Sequence, residues 1–487
     1  MYCLTPKMTE VPSGEWFCAR CRDVDREVAL LSEDRGVEFT LAQFNDSCIE
    51  FDTAFFGEEA KRVGISMQVI DECFWRMVED PSSADDVCEV KCGTEIDTTK
   101  HGSGFPRRGE TLRVKIEGVS ADDIKELAES KWNLNNVARA SGEHPSVLAS
   151  LREDLPGVTT PVLEVGSTFS STTWRREHHD LYRITYNHWG APKTWYCVPA
   201  SAADKFEECF KNVMPDVYEA HVNDLGRVFT MLSPNFLMNA GVPVNKLEQY
   251  PGEYVITFPG AYYATFNCGL NCTESVNYAP TDWLASGSLS ARRNRLHATP
   301  SLFSHEELVC RAADEPSGQT ARHLWPEMAR IYTEEAQVRN DLFASGVSQS
   351  AQLVEPGEDE SNGVRKTRST GADTSSTPRD SCVVCRQILY LSGVSCSCDD
   401  TRKACSQHAA ELCKCAMSSK TMFYRRTLAD LETLVTKSEK LIPAKELAAL
   451  KSENAGLGYV AANKGQLKKA QAWVKRVGDE LVKPPLP

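Results

Sequence analysis

"WRREHHDLYRITYNHWGAPKTWYCVP", residues 174–199, sets two arginines and a glutamate directly against two histidines and an aspartate. A histidine and a carboxylate two residues apart is a common arrangement of metal ligands, and His178 with Asp180 has that spacing. Read as a strand, however, the stretch alternates faces, so Arg175 and Glu177 share one face and His178 and Asp180 the other. A three-residue shift would turn the histidine and aspartate away from the interior, unless the strand slipped and inverted its core. An arginine is always protonated and has no lone pair to offer a cation. The stretch therefore raises three readings: a metal on Glu177 and its neighbours, a metal on the histidines, or a site that has lost its metal.

Outward from it, residues 160 to 280 hold short apolar runs bounded by Gly, Pro and Asn, such as "RVFTML", "EYVITF" and "ESVNYA". Several short strands at regular spacing predict a barrel or sandwich. Upstream, "VIDECFWRMVED" (69–80) reads as amphipathic helix, and downstream residues 304–344 read as helical. Residues 345–380 are rich in Ser, Thr, Gly and charge, a composition expected of a disordered linker. Beyond 419 the chain is expected to be helical, with Leu467, Ala470, Val474, Val477 and Leu481 forming one apolar packing stripe before Pro484.

At 487 residues and 41% hydrophobic content, the chain has room for several domains with real cores. A net charge of −14 argues against a protein that coats DNA, and "ARRNR" and "KGQLKKA" read as solvated surface. The start, "MYCLTPKMTEVP", lacks the pattern of a secretory signal, and no apolar run is long enough to span a membrane. Nineteen cysteines in a reducing compartment suggest metal ligands or buried thiols.

Seven of the nineteen lie between Cys382 and Cys415. With His408 they run Cys382, Cys385, Cys396, Cys398, Cys405, His408, Cys413, Cys415: eight ligands, enough for two closed tetrahedral zinc sites. So short a segment has few apolar residues, and metal would supply much of its folding energy. Near the N-terminus, Cys3, Trp16 and Cys18-x-x-Cys21 resemble the end of a zinc finger without its beginning.

"SGFP" (103–106), "WNLNN" (132–136), "HWGAPKTWY" (188–196), "SPNFLMNAGVPV" (233–244) and "GEYVITFPGAYYATFN" (252–267) resemble the JmjC domain of JARID-type histone demethylases. "FSHEELVC" (303–310) resembles the segment that follows that domain, and the Cys/His cluster with "FYRRTLADLETL" (423–434) resembles the finger and helices of the same family. The resemblance implies a mixed α+β fold: a JmjC double-stranded β-helix, or cupin-like barrel, with flanking helices and a small zinc-binding module. The expected organisation is a remnant of a PHD finger (1–22), a mixed region (23–131), the JmjC barrel (132–295), a helical segment (296–344), the linker (345–380), the two-zinc finger (381–418) and a helical C-terminal region (419–487). JmjN and ARID regions, expected upstream in the family, are not in this sequence.

Active relatives are iron(II)- and 2-oxoglutarate-dependent dioxygenases that demethylate a histone H3 lysine, with iron on two histidines and a carboxylate. Phe169, Ser170, Ser171, Trp174, His188, Trp189 and Gly190 fix the register of the family motif. In that register Arg175 replaces the first histidine, Glu177 is the carboxylate, and Tyr263, after Ala261 and Tyr262, replaces the second histidine. The 2-oxoglutarate pocket retains Lys193, Trp195 and Asn267 but is changed at Cys92, Arg183 and Thr185. The resemblance thus implies a nuclear chromatin protein whose partners are a histone H3 tail or chromatin complexes, with no membrane and no DNA-coating role. Two structural zinc ions and a degenerate iron site are expected, with Arg175 expected to neutralise Glu177. The alternatives are an active demethylase with an atypical metal site and a decaying or truncated gene product.

Overall fold

The computed structural model describes residues 39–58, 64–79, 89–109, 120–142, 145–215, 218, 231–353 and 380–454. The PHD remnant, most of "RVFTML", the linker from 354 to 379 and the 467–481 stripe lie outside the described residues.

Two antiparallel sheets form the barrel. One has the order β1-β2-β9-β4-β7, built from Gly93–Asp97 (β1), Val162–Gly166 (β2), Tyr182–Gly190 (β4), Tyr254–Thr257 (β7) and Asn271–Tyr278 (β9). The other has the order β3-β8-β5-β6, from Ser171–Arg175 (β3), Lys193–Val198 (β5), Asn245–Gln249 (β6) and Tyr262–Asn267 (β8). Strand β8, "YYATFN", is buried along its whole length because both its faces are covered. Tyr262, Ala264 and Phe266 turn outward into an apolar cluster beneath helices Met67–Glu79 and Ala203–Val213. Phe74 stacks on Phe266 with ring centroids 4.2 Å apart, and Phe206 on Tyr262 at 4.5 Å. Each fully buried aromatic stabilises by about 1.5–3 kcal/mol relative to exposure. The alternate residues Tyr263, Thr265 and Asn267 face the barrel interior, as the two-residue period of a strand requires. The interior is thereby lined with polar groups while the apolar ones hold the sheet to its helices.

Behind the barrel, helices Trp283–Leu296 (α1), His305–Asp314 (α2), Gly318–Ala344 (α3) and Leu428–Lys440 (α4) share a second core around Trp283, Phe303, Trp325, Leu431 and Leu434. The third sheet belongs to the Cys/His module and has the order β10-β13-β11-β12: Gln349–Gln352 (β10), Ser392–Cys396 (β11), Asp399–Ala404 (β12) and Lys420–Tyr424 (β13).

The fold departs from the sequence expectation in two places. Residues 345–353 are not linker: Val347 is buried beside Leu342, and β10 pairs in parallel with β13. The edge strand β10 is mostly exposed, so its polar composition resembles a linker while its backbone bonds to a strand seventy residues away in sequence. The region after 419 likewise begins with β13 before its helices Leu428–Lys440 and Ala444–Glu453, because the finger needs that strand to complete its sheet.

Candidate functional site

The charged groups of the opening stretch meet inside the barrel. Arg175 at the end of β3 pairs with Tyr263 of β8 across the sheet, and Glu177 follows just beyond. The Tyr263 hydroxyl donates to one Glu177 carboxylate oxygen. Asn277 Nδ2 donates to the other at 2.8 Å, and Arg183 Nη1 lies 3.6 Å from it. Burial works to raise the Glu177 carboxyl, but the Arg183 charge, the two hydrogen bonds and the more distant Arg175 outweigh it and hold the group below the usual carboxylate range. Burial and the neighbouring Glu177 push the Tyr263 phenol well up, so it remains a donor.

Arg183, not Arg175, is therefore the principal cation beside Glu177. Register explains the correction: β4 sets Arg183 directly opposite Asn277, so both reach the same carboxylate, and Arg183 Nη2 also donates to Ser275 at 2.6 Å. Arg175 follows a register shift between β3 and β8 that alters its approach.

A second buried ion pair stands nearby. Lys193, only 2% exposed, places Nζ 2.6 Å from Glu164 Oε1. Asn267, directly across from Lys193 in the β5–β8 register, donates to the same oxygen at 3.3 Å. Burial acts to raise Glu164, and the Lys193 ammonium with these hydrogen bonds overrides it, leaving the carboxyl lowered. Trp195 Nε1 donates to Gln249 at 3.0 Å and its ring lies 5.6 Å from that of Tyr263. Thr185 is buried, whereas Cys92 is exposed yet close enough to feel the charges of Glu164 and Lys193. Glu164 was missed by the sequence reading. Its signal was a lone charge in "VLEVG" at the strand position that faces inward.

The His178–His179–Asp180 segment does not continue the strand. It forms a short 3₁₀ turn in which His179 and Asp180 both have positive φ, 56° and 50°. His179 and Asp180 leave the barrel for a reason other than strand alternation. Asp180 is gripped by Arg176 (2.7 and 2.9 Å) and by Arg293 of α1 (3.0 and 3.3 Å). Trp283 Nε1 donates to the carbonyls of His179 and Asp180. His179 stacks on Phe303 at 4.0 Å, and its Nε2 accepts from the Leu302 amide at 3.1 Å. Burial lowers this imidazole to about 3, so it is neutral.

Among the described residues, the groups of three or more His, Cys, Asp or Glu close enough to share a metal ion are both in the finger. Cys382, Cys385, Cys405 and His408 form one; Cys396, Cys398, Cys413 and Cys415 form the other. The first two and the fifth and sixth ligands in chain order make one group, and the remaining four the other, so the groups interleave. Each donor set suits a closed tetrahedral zinc site.

Residues 162–278 match the family model described as JmjC domain, hydroxylase, and residues 382–434 match that of the C5HC2 zinc finger. The chain is 35% identical over 99% of its length to lysine-specific demethylase JMJ17 of Arabidopsis thaliana, covering 38% of that protein. The chain carries a JmjC domain and a C5HC2 zinc finger. It is also 33% identical to human lysine-specific demethylase 5D and 32% identical to chicken lysine-specific demethylase 5B, over 90% and 88% of this chain and 27% of each relative. It thus spans well under half the length of the curated relatives it matches.

Other residues that carry the JmjC resemblance serve the frame. His188 Nε2 lies 2.8 Å from Glu274, a fully buried carboxylate that also accepts from Ser103 (2.7 Å) and the Gly104 amide (2.9 Å). This cluster fastens the "SGFP" loop to the outer face of the sheet. A side chain at Gly104 would come within 2.3 Å of the His188 ring, so the close approach requires glycine. No described helix is long and apolar enough to cross a membrane.

Proposed function

We propose that this chain is a noncatalytic JmjC protein that works in the nucleus in chromatin organisation or transcription regulation. Its barrel serves as a binding or scaffolding element for a histone H3 tail or a chromatin complex. The observation that carries this reading is the consumption of Glu177: both carboxylate oxygens are already engaged, by Tyr263 on one side and by Asn277 and Arg183 on the other. The donor set does not fit iron(II). Arg175 has no lone pair, and Tyr263 is a protonated phenol used as a donor. His179 of the adjacent turn is stacked on Phe303, and Trp283 and Arg293 fix the turn through Asp180. The cosubstrate side is altered in the same sense, because Lys193, the residue expected to meet the 2-oxoglutarate carboxylate, is paired with Glu164 of the chain itself. The finger's two groups of four ligands suit about two structural zinc ions per chain.

The test is to incubate the protein with iron(II), 2-oxoglutarate and a peptide of the H3 tail trimethylated on the lysine at its fourth residue, and to follow methyl loss by mass. The expected result is no loss, with zinc but no iron in metal analysis of the same sample. Demethylation, or one equivalent of iron in the barrel, overturns the reading.

A further inference from the structure

Lys420 opens β13 and is only 1% exposed. Its Nζ donates to the carbonyl of Ala409 at 2.7 Å and to that of Cys413 at 3.3 Å. Among the described residues it forms no ion pair with a carboxylate. Two neutral carbonyls are poor compensation for a buried ammonium, which needs an anion nearby to be tolerable.

The neighbouring residues supply one. Lys420 is the direct cross-strand partner of Cys396 in the β11–β13 register. Paired residues project from the same face, with their Cβ atoms typically about 5 Å apart. Cys413, whose carbonyl accepts from the ammonium, belongs to the same four-cysteine group as Cys396. Four thiolates around a divalent cation leave a net dianion. The other group, with a histidine among its ligands, carries less negative charge.

We propose that Lys420 is the built-in counter-charge of the Cys396–Cys398–Cys413–Cys415 site, so that this site holds its metal tightly only while a cation stands at position 420. Lys420 is a positioning residue here, acting on the metal through charge and through the backbone of the ligand loop. The proposal rests on the metal reading of the finger and is independent of whether the barrel is catalytic.

The experiment loads the full chain with cadmium, whose NMR signal separates a four-sulfur site from a three-sulfur, one-nitrogen site, and titrates in a chelator. Lys420→Gln keeps a donor for the two carbonyls but removes the charge. It is expected to weaken the four-sulfur site about 10–100-fold, in the range typical of lost outer-shell partners, and to leave the histidine-containing site unchanged. Lys420→Arg, which retains the charge, is expected to restore retention to within a few-fold of the parent. Unchanged retention in the Gln variant overturns the proposal, and so does equal weakening of both sites, which marks a role in folding alone. If the Gln variant is insoluble, it is refolded over a zinc series: recovery at high zinc supports the proposal and failure at every zinc concentration overturns it. A parent protein lacking the four-sulfur signal would remove the metal reading itself.

Discussion

Replacing Glu164 by Gln leaves Lys193 with its charge, its burial and no anion. Removing one partner of a buried ion pair costs about 3–5 kcal/mol. The Glu164 side chain is 27% exposed, so solvent reaches part of the pair, and Asn267 remains beside it. Screening on that scale brings the expected loss to about 2–3 kcal/mol. For a domain of this size that is a fall in Tm of roughly 5–10 °C. The companion variant Lys193→Met should be destabilised similarly, because it strands the Glu164 carboxylate. The double variant Glu164→Gln/Lys193→Met should recover most of the loss, since an apolar replacement of a whole buried pair is often neutral. Scanning calorimetry of the four proteins gives the coupling directly. An added 2-oxoglutarate series supplies a second readout. The Glu164→Gln variant has a buried cation free to take a carboxylate, so its Tm should rise with ligand, by an amount equivalent to about 2.7 kcal/mol at a hundred times the Kd. The parent, whose lysine is already paired, should not respond. Additive losses in the double variant, or a parent that is stabilised by 2-oxoglutarate as strongly as the variant, would refute the reasoning.

Further outcomes are expected elsewhere in the molecule. His179 is lowered from 6.5 to about 3, so between those values the unfolded chain binds a proton that the folded chain does not, and stability rises with pH across that window. Each pH unit of the gap is about 1.36 kcal/mol, and His179→Phe, which preserves the stack on Phe303, should flatten the urea midpoint against pH there. Glu177 and Glu164 act in the same direction at lower pH: their stabilisation is complete above the ordinary carboxylate value and is lost as pH falls through the lowered folded values. Gly190→Ala should cost at least about 3 kcal/mol, because its φ is +97° and a Cβ would lie 2.2 Å from the Leu270 carbonyl oxygen. Gly252→Ala, at φ +88° with nothing within 4 Å, should cost only about 1–2 kcal/mol by thermal melting. Stripping metal with a chelator should abolish hydrogen-exchange protection at Val394 and Met422, which share a core with Cys382, Cys385 and Cys396, while β5 and β8 stay protected. Retained protection at Val394 would show that the finger holds itself together without metal.

The barrel, the helical unit behind it and the two metal groups were legible because each depends on local pattern. Short apolar runs such as "EYVITF" and "ESVNYA", helical spacing in residues 304–344, and paired Cys spacing all survive without knowledge of the partner element. Arg175, Glu177 and Tyr263 are neighbours in the barrel. The missing pieces depend on which strand lies beside which. The partnership of Arg183 with Glu177 comes from the β4–β9 register, and that of Glu164 with Lys193 joins residues from the two facing sheets. The turn at His178 is likewise fixed from outside, by Trp283 and Arg293 in a helix a hundred residues downstream. Strand β10 escaped notice because an exposed edge strand needs no apolar residues to be held by its backbone.

The parallel pairing of β10 with β13 has a consequence for the continuity of the chain. Residue 352 ends in the finger's sheet, and Asp380, where the described chain resumes, is fixed to the same module through Lys403 and the Leu389 amide. The two described ends, at 352 and 380, therefore belong to one small body. A foreign peptide spliced in between residues 354 and 379 should leave both neighbours in place, and a single cut there should yield two fragments that migrate together until denatured.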